Sequence, residues 1–136
     1  MKRDHVLDAN ALLDFVEAGL GFDKVEQLLQ SAMRQQGDVF VSVMNLGEVF
    51  YWLLQRRGEE KARAAVAPLL RLPIQFVPVD MPQALKAAQL KVMHKIPYVD
   101  CIAAALALQR QATLVTADRD FEKLGRHFPI LWIHRS

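Results

Sequence analysis

The chain has 136 residues, of which 52% are apolar and 24% are charged, and its formal net charge is +2. This length fits one domain with one buried core, and the apolar content excludes an intrinsically disordered protein. The slight basic excess permits a nucleic-acid partner without requiring one, and the single cysteine, Cys101, excludes an intramolecular disulfide.

The N-terminal segment and the apolar runs bear on where the protein works. No stretch reaches the ~18 apolar residues that a membrane span requires. Near the N-terminus, Asp4, Asp8 and Asp14 interrupt the apolar run that a secretory signal would need. We therefore expect a single domain over residues 1–136 that is cytoplasmic and has no membrane partner.

The hydrophobic pattern alternates strand-like and helix-like segments from end to end. Short β-branched or apolar runs predict strands, and apolar residues at helical spacing predict helices. The predicted strands cover residues 6–7, 39–43, 74–77, 113–116 and 130–133. The predicted helices cover residues 11–18, 22–36, 46–57, 59–70 with a bend near Pro68, 80–94, 99–109 and 120–124. Such alternation is typical of a mostly parallel sheet with helices on both faces, a three-layer α/β/α sandwich.

Four acidic residues stand where predicted strands and helices meet. Asp8 ends the first strand, Glu48 lies near the start of the helix after the second, Asp100 opens an alanine-rich helix and Asp118 follows the fourth strand. The carboxyl ends of parallel strands meet at one edge of a sheet, so these carboxylates can face one crevice. Gathered carboxylates repel one another unless a cation lies among them, and oxygen ligands favour a hard ion such as Mg²⁺ or Mn²⁺.

Each of these acids also has a purely structural interpretation, which the sequence alone leaves open. Asp8 is a favoured helix cap, and Glu48 stands at capping-box spacing from Asn45. Asp100 suits the positive end of a helix dipole, and Asp118 can form an Asx turn. The metal-site hypothesis therefore depends on the four acids together.

Four segments, taken in chain order, carry a set of motifs. Leu7–Leu13 contains a strand-ending Asp and an Asn two residues later, and Asn45–Val49 contains a helical Glu. Tyr98–Ala107 contains an Asp shortly before Ile-Ala-Ala, and Leu114–Phe121 contains the pattern Thr-x-Asp-x-Asp-Phe. In this order, and spread over nearly the whole chain, they resemble the PIN-domain family. The size and single-domain form are similar to the VapC toxins within that family.

The resemblance implies a PIN-like fold and roles for seven residues. These are metal binding by Asp8, Glu48, Asp100 and Asp118, assistance from Asp120, and supporting hydrogen bonds from Asn10 and Thr116. It also implies a Mg²⁺- or Mn²⁺-dependent endoribonuclease in which an activated water hydrolyses the RNA phosphodiester and leaves 5′-phosphate and 3′-hydroxyl ends. VapC-type toxins pair with themselves and with an antitoxin, so we expect an RNA substrate, a homodimer and a protein antitoxin as partners.

Two aromatic residues and several cations are further candidates. Tyr51 and Trp52 follow Glu48 by three and four residues and lie off the predicted buried stripe of that helix. We expect them at a protein interface unless a neighbouring helix covers them. Arg119, beside the closing acid, is well placed to bind phosphate. Four cations also cluster around Gly58, but Glu59 and Glu60 dilute them and favour a solvated helix end; these cations are Arg56, Arg57, Lys61 and Arg63.

Two other kinds of function remain open from the sequence. A haloacid-dehalogenase-like phosphatase also begins with an Asp after its first strand, but it would need a second Asp where this chain has Asn10. A non-catalytic RNA-binding module on the PIN scaffold would not need the complete acidic set. A nuclease assay with and without Mg²⁺ or Mn²⁺ separates an enzyme from such a module.

Overall fold

The computed structural model describes residues 3–134 as alternating strands and helices. The strands are β1 (His5–Leu7), β2 (Val39–Ser42), β3 (Ile74–Val77), β4 (Thr113–Thr116) and β5 (Ile130–Trp132). The helices are α1 (Ala9–Val16), α2 (Phe22–Met33), α3 (Val43–Arg57), α4 (Glu59–Val66), α5 (Met81–His94) and α6 (Tyr98–Arg110). Short 3₁₀ helices cover Ala67–Arg71 and Arg119–Leu124.

The five strands form one sheet in the order β3-β2-β1-β4-β5, and every pairing in it is parallel. Leu7 at the end of β1 lies opposite Val41 on one side and Val115 on the other. Apolar clusters pack against both faces of the sheet, one including residues of α1 to α4 and the other residues of α5 and α6. The predicted α/β sandwich with a parallel sheet is therefore confirmed.

Helix α6 is the most deeply buried helix among the described residues. Every residue from Cys101 to Ala107 is buried, because α6 packs against both the sheet and α5. Four of those positions are alanines, whose small side chains allow close approach of the helix to its neighbours. This packing fixes the N-terminal turn of α6, which carries Asp100, against the sheet.

The start of α3 differs from the sequence prediction. The helix begins at Val43 rather than at residue 46, because the Ser42 side chain accepts a hydrogen bond from the backbone N–H of Met44 at 3.2 Å and caps the helix. Glu48 therefore lies in the second turn instead of the first. The capping-box interpretation with Asn45 as the cap is wrong.

Other helix boundaries also differ from the sequence prediction, each because of a local feature of the backbone or a cap. Helix α1 begins at Ala9 instead of residue 11, because Asp8 is its N-cap. Helix α2 ends at Met33 instead of residue 36, because Gln35 adopts a left-handed conformation with φ of 59°. The bend predicted near Pro68 is present, since α4 gives way to the 3₁₀ helix Ala67–Arg71 there.

Within residues 3–134, none of the helices combines the length and the apolar character needed to span a membrane.

Candidate metal centre

Asp8 lies at the carboxyl end of β1, in the middle of the sheet, where the chain turns into α1. Its carboxylate accepts hydrogen bonds from the backbone N–H of Ala11 at 2.7 Å and from the Thr116 hydroxyl at 2.5 Å, one on each oxygen. The first of these bonds caps α1, so the structural interpretation of Asp8 also holds. Each oxygen keeps lone-pair capacity for a further ligand.

Thr116 connects Asp8 to the acids that follow β4. Its fully buried hydroxyl donates to Asp8 and accepts from the backbone N–H of Asp118 at 2.9 Å. Asp118 in turn accepts from the backbone N–H of Asp120 at 2.9 Å, which is the expected Asx turn. One continuous set of hydrogen bonds therefore positions three of the five candidate acids.

Asn10 holds the same loop from the other side. Its side-chain oxygen accepts a hydrogen bond from the backbone N–H of Ala117 at 3.0 Å. The amide thus stabilises the turn between β4 and Asp118. A phosphatase of the kind considered above would need a carboxylate at this position, and here the position serves the loop instead.

Glu48 and Asp100 reach the same region from helices. Asp100 lies in the first turn of α6 and Glu48 in the second turn of α3. Together with Asp8 and Asp118 they line one cavity of about 240 Å³, whose wall also includes Asn10. The structure therefore brings the four acids into one crevice at the carboxyl edge of the sheet.

The spacing within this set is uneven. One carboxylate oxygen from each of Asp100, Asp118 and Asp120 lies within 4.8 Å of the other two. Asp8 and Glu48 line the cavity outside this closest group. Asp120, which the sequence suggests only as an assisting ligand, thus belongs to the closest group.

The carboxyl groups are held where ionisation is unfavourable. Burial raises the pKa of Asp8 to about 7, although the hydrogen bonds from Thr116 and Ala11 oppose that rise. Burial, followed by repulsion from Asp118 and Glu48, raises the pKa of Asp100 to about 7. The pKa of Glu48 is also raised, mainly by its partial burial. A cation in the cavity would favour the ionised forms of all three groups.

The donor set fits a hard divalent cation. Among the described residues, the lining contains carboxylate oxygens and no histidine or cysteine. Mg²⁺ takes oxygen ligands at about 2.1 Å, so two oxygens on one ion lie up to about 4.2 Å apart. The oxygens of Asp100, Asp118 and Asp120, within 4.8 Å of one another, need only small side-chain shifts to reach that spacing.

Two aromatic residues form part of the cavity wall, a role that the sequence analysis missed. Tyr51 and Trp52 both line the cavity beside Glu48. Tyr51 is 60% exposed, and Trp52 is partly buried under the guanidinium of Arg56, whose central carbon lies 4.2 Å from the ring centroid. Their spacing of one helical turn from Glu48 was the available signal, because residues three and four apart share a helix face.

The comparison with protein families gives one match. The sequence matches the family described as PIN domain over residues 5–127. No curated protein matches the sequence at a significant level.

Several solved structures share the fold. DNA-bound VapBC from Salmonella typhimurium is similar with a TM-score of 0.77 and 18% identity, over 98% of this chain and 100% of that chain. A toxin–antitoxin complex from Klebsiella pneumoniae has a TM-score of 0.70 and 16% identity, over 97% of this chain and 99% of that one. Mycobacterium tuberculosis VapC20, described as a sarcin-ricin loop cleaving toxin, has a TM-score of 0.69 and 22% identity, over 89% and 95% respectively. At these sequence identities, the structural similarity establishes the fold of this chain.

Proposed function

The chain belongs to the PIN-domain family, and from that premise we propose that it is a cytoplasmic Mg²⁺- or Mn²⁺-dependent endoribonuclease, the toxin of a type II toxin–antitoxin system. The observation that carries the proposal is the single cavity shared by Asp8, Glu48, Asp100 and Asp118. An all-oxygen acidic cavity of this kind suits metal-assisted hydrolysis of a phosphodiester.

The residues of the chain hold the ligand set in place before any metal arrives. A divalent ion held by these carboxylates would supply an activated water and would stabilise the leaving oxygen. Thr116 fixes Asp8 relative to Asp118, and the Asx turn fixes Asp118 relative to Asp120. Asp100 completes the closest group from α6, and Glu48 closes the cavity from α3. Such preorganisation reduces the rearrangement that metal and substrate binding would otherwise require.

The same carboxylates control access of the substrate. Without a cation they repel the phosphates of RNA, since like charges are brought together in a partly buried cavity. A neutralised cavity removes that repulsion and leaves the scissile phosphate next to the acids. We therefore propose that productive RNA binding at this point depends on the metal.

A protein antitoxin and a second copy of the chain are the proposed partners. The support is that structures of the same fold include toxin–antitoxin complexes. An antitoxin arginine placed in the acidic cavity would form charge-assisted hydrogen bonds to the carboxylates and exclude the metal. Tyr51 and Trp52, at the cavity wall, would then contact the antitoxin segment that carries this arginine.

The test of the proposed function is a cleavage assay on total cellular RNA in Mg²⁺, in Mn²⁺ and in EDTA. The matched pair of variants is Asp100→Asn, in the cavity, and Asp23→Asn, an exposed acid on α2. We expect cleavage with 5′-phosphate ends in either metal, loss of cleavage in Asp100→Asn and full activity in Asp23→Asn. Equal cleavage in EDTA, or an active Asp100→Asn variant, would contradict the proposal.

A further inference from the structure

The two tryptophans of the chain share an unusual environment. Trp52 carries the guanidinium of Arg56 at 4.2 Å from its ring centroid, and Trp132 carries that of Arg119 at 4.6 Å. The sequence contains no other tryptophan. Both indoles also pack against a core cluster, so the guanidinium forms part of the exposed surface of each pair. Nucleic-acid bases stack on arginine guanidinium planes as well as on aromatic rings.

Each of the two pairs lies next to residues of the acidic site. Trp52 lies in the cavity wall on α3, the helix that follows β2. Trp132 ends β5 and is paired in register with Thr116, whose hydroxyl binds Asp8. Neighbouring strands lie about 4.8 Å apart, so Trp132 is one strand away from the residues that position the acids. Arg119 stands in the chain between Asp118 and Asp120.

A lysine lies beside the Trp132–Arg119 pair. A cavity of about 660 Å³ is lined by Lys24, Arg119, Trp132 and His134 together with other β5 residues. The Lys24 ammonium donates to the backbone carbonyl of Trp132 at 3.0 Å, which keeps this charge at the end of β5. Trp132 also lines a second cavity of about 460 Å³, so its side chain is reached from two sides.

This arrangement addresses a difficulty in binding RNA at an acidic centre. The carboxylates contribute repulsion, so the attraction that holds the strand has to come from the surfaces next to them. Cations that contact phosphates and aromatic rings that stack bases provide such attraction without reading sequence. A duplex would keep its base faces stacked on each other, so stacking surfaces favour a single strand.

We propose that single-stranded RNA crosses the acidic cavity from the Trp52–Arg56 pair to the Trp132–Arg119 pair, with bases stacked on both pairs and phosphates at Lys24 and the two arginines. The cleavage of this strand rests on the proposed nuclease function, whereas the binding path does not. The Arg56 side chain, which the sequence analysis assigned to a solvated helix end, thereby contacts substrate.

The first measurement uses the tryptophans as reporters. Trp52→Phe leaves Trp132 as the only tryptophan, and Trp132→Phe leaves Trp52. A 12-nucleotide single-stranded RNA is added in Ca²⁺, its integrity is checked on a gel, and binding is followed by anisotropy of a terminal fluorescein. We expect the RNA to quench the emission of each single-tryptophan variant, because a base stacked on either pair changes the environment of the indole beneath the guanidinium. Binding without quenching of either tryptophan, or with quenching of only one, would overturn the path.

The second measurement uses surface charges, whose removal leaves the core intact. Arg56→Gln and Arg119→Gln are compared with Arg110→Gln, which also lies over an aromatic ring, that of Phe40 at 4.7 Å. Arg110 ends α6, about 15 Å along the helix from Asp100 in its first turn. We expect the first two variants to weaken RNA binding by about fivefold or more and to reduce its salt dependence, by about 0.7 in the logarithmic slope per lost phosphate contact. Arg110→Gln should bind like the parent.

The outcomes separate this proposal from the proposed function. Quenching and charge effects without any cleavage would contradict the nuclease function and support the path. Cleavage with parental RNA affinity in Arg56→Gln and Arg119→Gln would contradict the path alone. If these variants keep RNA affinity and lose binding to a protein antitoxin, the surface is a protein interface and the path is wrong.

Discussion

Asp8 shows that the structural and functional interpretations of one residue can both be satisfied. Its carboxylate caps α1 through Ala11 and also lines the acidic cavity. The sequence presents these roles as alternatives, because a single position gives no information about what approaches it from β4. The Thr116 hydroxyl, 108 residues further along the chain, brings the two roles together because it binds Asp8 and also the backbone N–H of Asp118.

The raised carboxyl pKa values predict the pH dependence of stability without metal. Asp8 and Asp100 have pKa values of about 7 in the fold, against 3.8 as the reference value. Between these pH values the unfolded chain releases protons that the folded protein retains, so folding stability from these groups is greatest below pH 4 and falls as the pH rises to 7. Urea unfolding in EDTA should give a lower free energy at pH 7.5 than at pH 5 for the parent.

The same experiment on Asp100→Asn provides the control, because this variant lacks one of the two titrating groups. Its free energy of unfolding should fall less over the same pH range. If the free energy of unfolding of the parent rises from pH 5 to pH 7.5, and rises equally in Asp100→Asn, the burial of these carboxyl groups does not control the pH dependence of stability.

Thr116 is predicted to act as a positioning residue. Thr116→Val keeps the shape of the side chain but removes the hydrogen bonds to Asp8 and to the backbone N–H of Asp118. An unsatisfied group of this kind costs about 1–3 kcal/mol, so the free energy of unfolding should fall by that amount. Mn²⁺ affinity should fall as well, because Asp118 is no longer fixed relative to Asp8. Thr113→Val, at the other end of β4, should retain parental Mn²⁺ affinity; equal losses in both variants would refute the role.

At the scale of elements, the sequence is most informative where one signal dominates. Residues 74–77 and 113–116 were predicted with their observed strand boundaries, because short apolar runs end at turn residues there. The start of α3 could not be predicted in the same way. The β-branched Val43 favours a strand, yet the Ser42 cap begins the helix at that residue. The shift also determines which turn of α3 carries Glu48 and, beyond it, Tyr51 and Trp52.

Ser42 is accordingly predicted to stabilise the fold and to set the position of Glu48, because it caps the helix that carries this residue. Ser42→Ala removes the cap of α3 and should lower the free energy of unfolding by about 1 kcal/mol in a urea titration. Ser31→Ala within α2 is the matched control, since Ser31 caps no helix among the described residues and Ala favours a helix interior, so this variant should not lose stability. A Ser42→Ala variant as stable as the parent would show that packing alone sets the start of α3.

At the scale of the whole molecule, the strand order explains why the acids meet. The order of connection reverses at β1, which lies between β2 and β4. Ligand sites of open parallel sheets lie at such a reversal, outside the carboxyl ends of the strands. The sequence predicts the parallel sheet and the acids at its edge, but not the order of the strands. For the same reason it could not place Trp132 beside Thr116, a contact that depends on the pairing of β4 with β5.

The exposed apolar residues of α5 predict a second copy of this chain as a partner. Met81, Leu85 and Val92 are 75%, 61% and 79% exposed, and their spacing places Leu85 and Val92 near one helix face. The double substitution Leu85→Lys and Val92→Lys should convert a dimer to a monomer in sedimentation velocity. Met33→Lys, at a residue 72% exposed on α2, should leave the dimer intact. A monomeric parent, or a double variant that remains dimeric, would contradict this assignment.

We propose that the acidic cavity binds the metal on which RNA cleavage depends. The most direct test of this proposal is a Mn²⁺ titration in which bound Mn²⁺ is measured by electron paramagnetic resonance and RNA cleavage is measured in the same samples. We expect cleavage to rise in step with occupancy, and we expect Asp100→Asn and Asp118→Asn to lose both together. Cleavage that proceeds before Mn²⁺ is bound, or parental Mn²⁺ affinity in both variants, would contradict the account.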